Sequence, residues 1–190
     1  MKNNKKILVV DLDETLIFSS LKHQRDDEII VDVEGTPVYT LVRPGVKKFT
    51  EKITKLFTCY IWSTGQPQYV AAIADALELS EFTIWGRDKC KKIEDVELTE
   101  TYEKPLTMIT DNLNQIAIID NFKPTFQKYP LNGIWIKTWR GDLEDNELET
   151  IIPYLEWLET LQSMQRDHSR WNTEALLFKT AKMTRRIETT

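Results

Sequence analysis

Two aspartates near the start of the chain, Asp11 and Asp13, have a spacing that suits chemistry on a phosphate or a metal ion. They follow the apolar run Ile7–Val10, which has the length and composition of a buried strand. In open α/β sheets, ligands bind beyond the carboxyl ends of the strands, where both aspartates would lie. Two carboxylates there can bind a divalent cation, or one can act as a nucleophile while the other transfers protons. By itself, Asp-x-Asp-x-Thr is also common where a strand turns into a loop or a helix cap.

Polar side chains follow three later segments in a similar way. Ser63–Gly65 comes after an apolar run and offers a hydroxyl and a glycine where backbone amides can approach an anion. Lys104 stands before Pro105, which favours an extended backbone at Lys104 and places its ammonium group on a loop. Asp120 and Asn121 follow a buried-strand pattern and carry oxygen ligands that suit a hard cation such as magnesium. Each pattern alone has an ordinary structural explanation, as a turn, a surface charge or a strand end.

The elements that must position these side chains alternate between strand-like and helical runs, which predicts an α/β fold. We expect a Rossmann-like, largely parallel central sheet of about five strands flanked by helices. The predicted strands are Lys6–Val10, Thr58–Trp62, Phe82–Trp85, Gln115–Ile119 and Gly133–Ile136. Helices are predicted from Pro44 to about Leu56, from about Pro67 to Leu77, and from about Leu143 to Leu161, where Pro153 is expected to cause a kink.

The segment between the first strand and the first helix predicts a small β-hairpin, Ile29–Val33 and Val38–Val42 around a Glu-Gly-Thr-Pro turn. Because this hairpin follows the aspartate pair directly, we expect it to form a flap over the site. The spacing from Thr15 to Ser63 leaves room only for the hairpin and one helix, so no large cap domain is expected.

One domain, residues 1–162, is predicted to hold the whole site, because a chain of 190 residues fits a single domain with a substantial core. Residues 163–190 are predicted to be a separate C-terminal part. In it, a polar linker precedes a short basic amphipathic helix at Thr173–Ile187. That helix is expected to dock on the domain or, alternatively, to contact a partner or an acidic surface.

The composition indicates a soluble protein of the cytoplasm or nucleus. Hydrophobic residues make up 41% and charged residues 29% of the chain, with no apolar run long enough to span a bilayer and no secretion leader. The two cysteines fit neither a metal-binding spacing nor a disulfide framework, which indicates a reducing compartment. The net charge of −5 gives no support for non-specific nucleic-acid binding, so positive charge for a phosphate must be concentrated locally.

The order of these motifs resembles the layout of the haloacid dehalogenase superfamily. That layout has an acid pair, a hydroxyl, a lysine and a second acidic pair, each after a strand. The chain is more similar still to its FCP/SCP-like phosphatases, over roughly residues 6–161. The residues that carry this likeness are Asp11–Leu16, Ser19 and Ser20, Arg43–Gly45, Arg87 with Cys90, Tyr102–Lys104, Asp120 with Asn121, and Trp139. Enzymes of this class dephosphorylate serine in the C-terminal repeats of RNA polymerase II and in other proteins.

The resemblance implies a role for each residue of the motifs. Asp11 would attack phosphorus and form an aspartyl-phosphate, while Asp13 would act as general acid and then as general base. Ser63 and Lys104 would hold the equatorial oxygens of the phosphoryl group.

The resemblance also implies a bound Mg²⁺. Asp11, the backbone carbonyl of Asp13 and Asn121 would be its ligands. Asp120 would position Lys104 or a metal-bound water.

The chain departs from the family where the substrate would bind. Phe122–Pro124 intervenes where the family has Ser-Pro, and Gln66 with Pro67 stands where the family places apolar residues that grip a proline. Catalysis is therefore expected to be intact, while specificity for polymerase repeats is not implied. The residues predicted to contact substrate are Leu21, Thr64, Gly65, Tyr69 and Arg87, with a structural ion pair as the alternative for Arg87.

Four functions fit these observations. The first is a magnesium-dependent phosphatase for phosphoserine or phosphothreonine in proteins, because an uncapped site is open to a bulky macromolecule. The second is a phosphatase for a small metabolite or a nucleic-acid end. The third is a non-catalytic binding module of the same fold, which retention of both Asp11 and Asp13 disfavours. The fourth is a receiver-like switch phosphorylated on Asp11, which an adjacent acid/base at Asp13 disfavours.

Overall fold

The computed structural model describes residues 5–93 and 101–171 of the chain. Its strands are β1 (Ile7–Val10), β2 (Ile17–Ser20), β3 (Ile29–Val33), β4 (Thr36–Val42), β5 (Thr58–Trp62), β6 (Thr83–Trp85), β7 (Lys91–Ile93), β8 (Thr101–Glu103), β9 (Ile116–Asp120) and β10 (Gly133–Trp135). Its helices are α1 (Val46–Leu56), α2 (Pro67–Ala76) and α3 (Glu147–Thr160). Among the described residues, no helix is both long and apolar enough to cross a bilayer.

A parallel five-stranded sheet, in the order β10-β9-β1-β5-β6, forms the centre of the molecule and confirms the predicted fold class. Alternate residues of β1 face opposite sides of the sheet, as strand geometry requires. Leu8 and Val10 join the larger apolar cluster, to which all three helices contribute, while Val9 joins a smaller one on the other face. Burial on both faces explains why β1 and β9 appear in the sequence as continuous apolar runs.

The predicted hairpin is present as β3 and β4, and β2 pairs with β4 to extend it to a three-stranded antiparallel sheet. We call this sheet, β2 to β4, the flap. Its tight turn places Glu34 and Gly35 at φ values of 53° and 84°, a region where glycine is favoured. A second small sheet, formed by β7 and β8, was not predicted from the sequence.

The third helix begins at Glu147 rather than at Leu143. Asp145 explains the difference, because its carboxylate accepts a hydrogen bond from the Glu147 amide (3.1 Å) and a bidentate pair from Arg43 (2.7 and 2.8 Å). Both Arg43 and Asp145 are buried, so this ion pair fixes the entry to α3 against the start of α1.

Residues 163–171, predicted to be a polar linker, lie against the domain instead. Met164 is buried and its amide donates to the Asn114 carbonyl (2.7 Å), while the Arg166 amide donates to the Leu131 carbonyl (2.8 Å). Apolar contact and backbone hydrogen bonds therefore hold this segment in place, which its polar composition did not indicate. A boundary between two parts of the chain stays a prediction, and the predicted helix at Thr173–Ile187 lies outside the described residues.

Candidate active site

The carboxyl ends of the three central strands lie at the same edge of the sheet. Val10 pairs in register with Ile61 of β5 and with Ile119 of β9. Asp11 and Asp120 therefore stand side by side, and the Asp11 amide donates to the Ile119 carbonyl at 2.9 Å. The four separate motifs of the sequence thus meet at one place.

Lys104 lies between two aspartates at this edge. Its ammonium group donates to Asp11 Oδ1 at 2.6 Å and to Asp120 Oδ2 at 2.7 Å, and all three side chains are buried. Burial alone would lower the pKa of Lys104, but the two carboxylates outweigh it and raise that pKa, so the lysine stays charged. Burial and then the charge of Asp120 raise the pKa of Asp11 to about 7, while Lys104 acts in the opposite direction.

Asp120 is fully engaged within the protein. Besides Lys104, it accepts hydrogen bonds from the Thr125 hydroxyl (2.7 Å) and from the Phe122 amide (2.8 Å). Thr125 was not identified from the sequence, because a threonine five residues after an aspartate carries no distinguishing pattern. Asp120 thus contacts Lys104 directly, and its predicted role in positioning that lysine stays a prediction.

Asp13 is held by a hydroxyl group on each carboxylate oxygen. Ser63 Oγ donates to Asp13 Oδ2 at 2.8 Å, and the Tyr69 hydroxyl donates to Asp13 Oδ1. The Gly65 amide donates to Ser63 Oγ (2.8 Å), and Ser19 Oγ lies 2.9 Å from the Tyr69 hydroxyl. Burial and then the negative charge of Asp13 raise the pKa of Tyr69, so its hydroxyl remains a donor.

Gly65 has a packing reason to be glycine. A Cβ atom there would lie 2.8 Å from Cδ1 of the Tyr69 ring and 3.1 Å from Ser63 Oγ. Because 2.8 Å is closer than a real Cβ atom approaches a neighbour, any other residue would displace the tyrosine from Asp13. Gly65 thus supports the position of Tyr69.

A cleft of about 230 Å³ opens at this edge. It is lined by Asp11, Asp13, Glu14, Thr64, Asp120, Asn121, Phe122 and Thr125. Glu14, which was not predicted as a site residue, has a left-handed φ of 58° and pairs with Arg140 at 3.0 Å.

The donors in the cleft fit a small hard cation. Asp11 Oδ1 accepts from Lys104 and keeps a second lone pair for a cation, which leaves Oδ2 free, and Asn121 contributes an amide oxygen that accepts from the Thr15 hydroxyl at 3.2 Å. With the Asp13 carbonyl, these are oxygen donors of the kind that Mg²⁺ prefers. No cluster of three His, Cys, Asp or Glu side chains able to hold a metal occurs within the described residues. The set proposed for Mg²⁺ is instead one carboxylate, one carbonyl and one amide.

Of the residues predicted to contact substrate, some line the cleft and others lie outside it. Thr64 lines the cleft, whereas Leu21 lies on the flap with 71% of its surface exposed. Arg87 donates through Nε to the Thr64 carbonyl (2.5 Å), and its guanidinium lies 5.1 Å from the centre of the Tyr102 ring. Arg87 therefore contacts the loop after β5, and both roles considered for it, substrate contact and a structural ion pair, stay predictions.

Comparisons with known proteins agree with this geometry. The family model described as "NLI interacting factor-like phosphatase" matches residues 6–166, and the chain belongs to this family. It is 34% identical to the CTD small phosphatase-like protein 1 of Caenorhabditis elegans over 85% of this chain and 33% of that protein. It is 33% identical to the human CTD small phosphatase-like protein over 81% of this chain and 56% of that protein.

A solved structure shows the same fold. It is the fission yeast RNA polymerase II CTD phosphatase Fcp1 bound to beryllium fluoride, with a TM-score of 0.57, 16% identity, and coverage of 91% of this chain and 50% of that one. The predicted resemblance to FCP/SCP-like phosphatases is thereby confirmed. The chain spans only a third to just over half the length of the relatives named above.

Proposed function

We propose that the protein is a magnesium-dependent phosphatase that acts on phosphoserine or phosphothreonine in proteins. The observation that carries this proposal is the buried arrangement of Lys104 between Asp11 and Asp120, beside an Asp13 held by Ser63. A nucleophile, an acid/base and a fixed positive charge in one open cleft are the groups that phosphoryl transfer requires.

Asp11 would act as the nucleophile through the carboxylate oxygen that Lys104 does not occupy. The oxygen attacks phosphorus, the bond to the serine oxygen breaks, and the phosphoryl group is transferred to Asp11 as an aspartyl-phosphate. Lys104 keeps one oxygen of Asp11 fixed at 2.6 Å, which orients the other, and its charge stabilises the negative oxygens of the phosphoryl group. Mg²⁺, when bound by Asp11, Asp13 and Asn121, would supply further positive charge.

Asp13 would transfer the protons. In the first step the protonated acid would give its proton to the serine oxygen that leaves; in the second the resulting carboxylate would take one from the water that hydrolyses the aspartyl-phosphate, which restores the acid. The hydroxyl groups of Ser63 and Tyr69 fix the plane of its carboxylate, so this group is already oriented before substrate binds.

A phosphorylated protein segment suits the cleft better than a small metabolite does. The described residues include a flap but no large domain that would enclose a small molecule. Contacts along a peptide can stabilise the transition state, whereas a small ester has little to bind it. Relatives named as CTD phosphatases support the same substrate class. The exact substrate and the cellular compartment stay predictions.

Turnover should depend on Asp11. In a panel of phosphoserine and phosphothreonine peptides and small phosphate esters assayed with Mg²⁺, we expect peptides to have the higher kcat/KM. Asp11→Asn should lower kcat by about 1,000-fold or more, equivalent to about 4 kcal/mol, because only the nucleophile is lost. The thermal unfolding curve of Asp11→Asn should nevertheless match that of the wild-type protein.

Asp75→Asn is the matched control, because Asp75 is an exposed aspartate near the end of α2 and should leave kcat unchanged. Residual activity of Asp11→Asn within about tenfold of wild type would exclude Asp11 as the nucleophile. A sugar phosphate that is a better substrate than every peptide would favour the metabolite alternative.

Activity should also depend on the metal. We expect EDTA to abolish turnover, Mg²⁺ to restore it and Ca²⁺ to inhibit, because Ca²⁺ prefers more ligands and a looser geometry than this three-donor set offers. Asn121→Ala should raise the Mg²⁺ concentration needed for half-maximal activity. Full activity in EDTA would remove the metal from the mechanism.

A further inference from the structure

A second concave surface lies beside the active-site cleft, along the edge strand β10. It encloses about 590 Å³ between the helical turn at Lys123–Phe126 and the segment 167–170. Trp135, Phe126 and Pro124 give it an aromatic and apolar lining. We call this surface the β10 groove. None of the catalytic residues lines it.

Two cations lie against the tryptophan of the β10 groove. Lys123 Nζ is 5.4 Å from the centre of the Trp135 ring, and the Arg170 guanidinium carbon is 5.7 Å from it. Arg170 also pairs with Glu147 at 3.1 Å, whereas Lys123 is exposed and makes no ion pair with a carboxylate of the described residues. Lys123 is therefore a cation on the tryptophan ring that has no carboxylate partner within the described residues.

The other ionisable groups that line the groove make their contacts elsewhere and not with Lys123. Asp167 has its carboxylate turned to the amide (2.8 Å) and the hydroxyl of Ser169. His168 is uncharged near neutral pH, because burial lowers its pKa to about 4. Arg170 is paired with Glu147, so Lys123 is the cation of the groove that no carboxylate of the described residues pairs with.

The groove is continuous with the active-site cleft. Phe122 lines the cleft, the next residue Lys123 lines the groove, and Trp135 Nε1 donates to the Asn121 carbonyl at 2.9 Å. Because Phe122 and Lys123 are neighbours in the chain, an extended peptide whose phosphate lies in the cleft needs only a few residues to reach the groove. Phe122, 43% exposed, is the ridge that such a chain would cross.

We propose that the β10 groove binds an acidic side chain of the phosphoprotein, located within a few residues of the phosphorylated serine or threonine. This inference rests on the proposed function and adds a preference for acidic flanking sequence. Charge complementarity selects this occupant over the chain's own residues 172–190, which carry four Lys or Arg and two Glu. Lys123 attracts the acidic group, and the apolar lining removes water from around the ion pair.

The test compares three phosphoserine peptides that differ only in charge: one has glutamates on the amino side of the phosphoserine, one has them on the carboxyl side, and one has alanines on both sides. We expect wild-type enzyme to prefer one acidic peptide, and this preference to shrink with added salt. For that acidic peptide, Lys123→Glu should lower the ratio of its kcat/KM to that of the alanine peptide about tenfold. The change should come mainly from a higher KM for the acidic peptide. Lys123→Gln, which only removes charge, should have a smaller effect in the same direction.

Lys55→Glu is the matched control, because Lys55 is an exposed lysine in the last turn of α1 and lies outside both the cleft and the groove. This variant should leave unchanged the ratio of kcat/KM for the preferred acidic peptide to kcat/KM for the alanine peptide. If wild type turns over all three peptides equally, or if Lys123→Glu affects them alike, the groove does not recognise acidic residues. The proposed phosphatase activity would not be contradicted by that result. If no phosphopeptide is turned over while small esters are, the proposed function fails and this inference fails with it.

Discussion

Asp13 is the residue whose surroundings differ most from what the sequence indicated. Its motif predicted an acid/base, and Ser63 was predicted to contact the phosphoryl group, but in the structure the Ser63 hydroxyl donates to Asp13. Tyr69, predicted as part of a peptide pocket, donates to the other oxygen of the same carboxylate. A carboxylate fixed by two donors loses little rotational freedom when substrate binds, which lowers the entropic part of the barrier.

Tyr69→Phe should therefore slow the chemistry and not only peptide binding. A hydrogen bond to a charged group contributes about 1.5–3 kcal/mol, so we expect kcat to fall by about 10- to 100-fold. The loss should be larger for alkyl phosphates, whose leaving group needs a proton, than for aryl phosphates. Steady-state kinetics on one alkyl and one aryl ester measures both effects.

Tyr39→Phe provides the comparison for this variant. Tyr39 is a partly buried tyrosine of the flap whose ring lies 5.5 Å from that of His23, and its replacement should leave kcat unchanged. If Tyr69→Phe leaves kcat unchanged on both esters and raises KM for peptides alone, Tyr69 contributes only to substrate binding and not to the chemical step.

Among the elements, the flap has the clearest consequence for substrate choice. Ser19 at the end of β2 lies 2.9 Å from the Tyr69 hydroxyl, so this strand borders the active-site residues. Leu21, two residues further on, is one of the few large apolar side chains in residues 5–93 and 101–171 that are mostly exposed. An exposed leucine beside an open cleft is suited to contact a protein substrate.

Leu21→Asp should impair peptide turnover more than turnover of a small aryl phosphate. The small ester ends within the cleft, whereas a peptide extends over the flap and loses apolar contact there. We expect about a tenfold fall in the ratio of the two kcat/KM values, equivalent to about 1.4 kcal/mol of lost contact. Leu143→Asp, which changes another exposed leucine outside the flap, is the control for added charge. Equal losses on both substrates would remove the flap from substrate recognition.

The elements also show what the sequence could predict. The strands of the central sheet were predicted to within a residue or two, because burial on both faces makes them apolar and their polar ends mark where they stop. β7 was missed because Lys91 and Lys92 give it no apolar pattern. The start of α3 was misplaced because it depends on a buried ion pair between Arg43 and Asp145, 102 residues apart in the chain. Local patterns carry no information about such long-range partners.

At the scale of the whole molecule, the segment after α3 closes the β10 side of the domain. His168 is buried there, with Nδ1 against the Tyr154 hydroxyl and Nε2 3.0 Å from the Leu131 carbonyl. Its ring therefore connects this segment to α3 and to the loop before β10. A neutral ring satisfies both contacts by accepting from Tyr154 and donating to Leu131.

His168 should make the stability of the fold depend on pH in a defined window. Burial lowers its pKa from 6.5 to about 4, so between these values the unfolded chain binds this proton and the folded protein does not. Stability is therefore retained above pH 6.5 and falls as the pH drops towards 4, by about 1.4 kcal/mol for each pH unit from this group.

His168→Gln keeps one donor and one acceptor but cannot take up the proton. We expect urea unfolding followed by tryptophan fluorescence to show that wild type loses about 2 kcal/mol more than this variant between pH 7 and pH 5. His23→Gln removes the other histidine, which is exposed on the flap side, and should keep the dependence due to His168. Parallel stability curves for wild type and His168→Gln would show that protonation of this ring does not oppose folding.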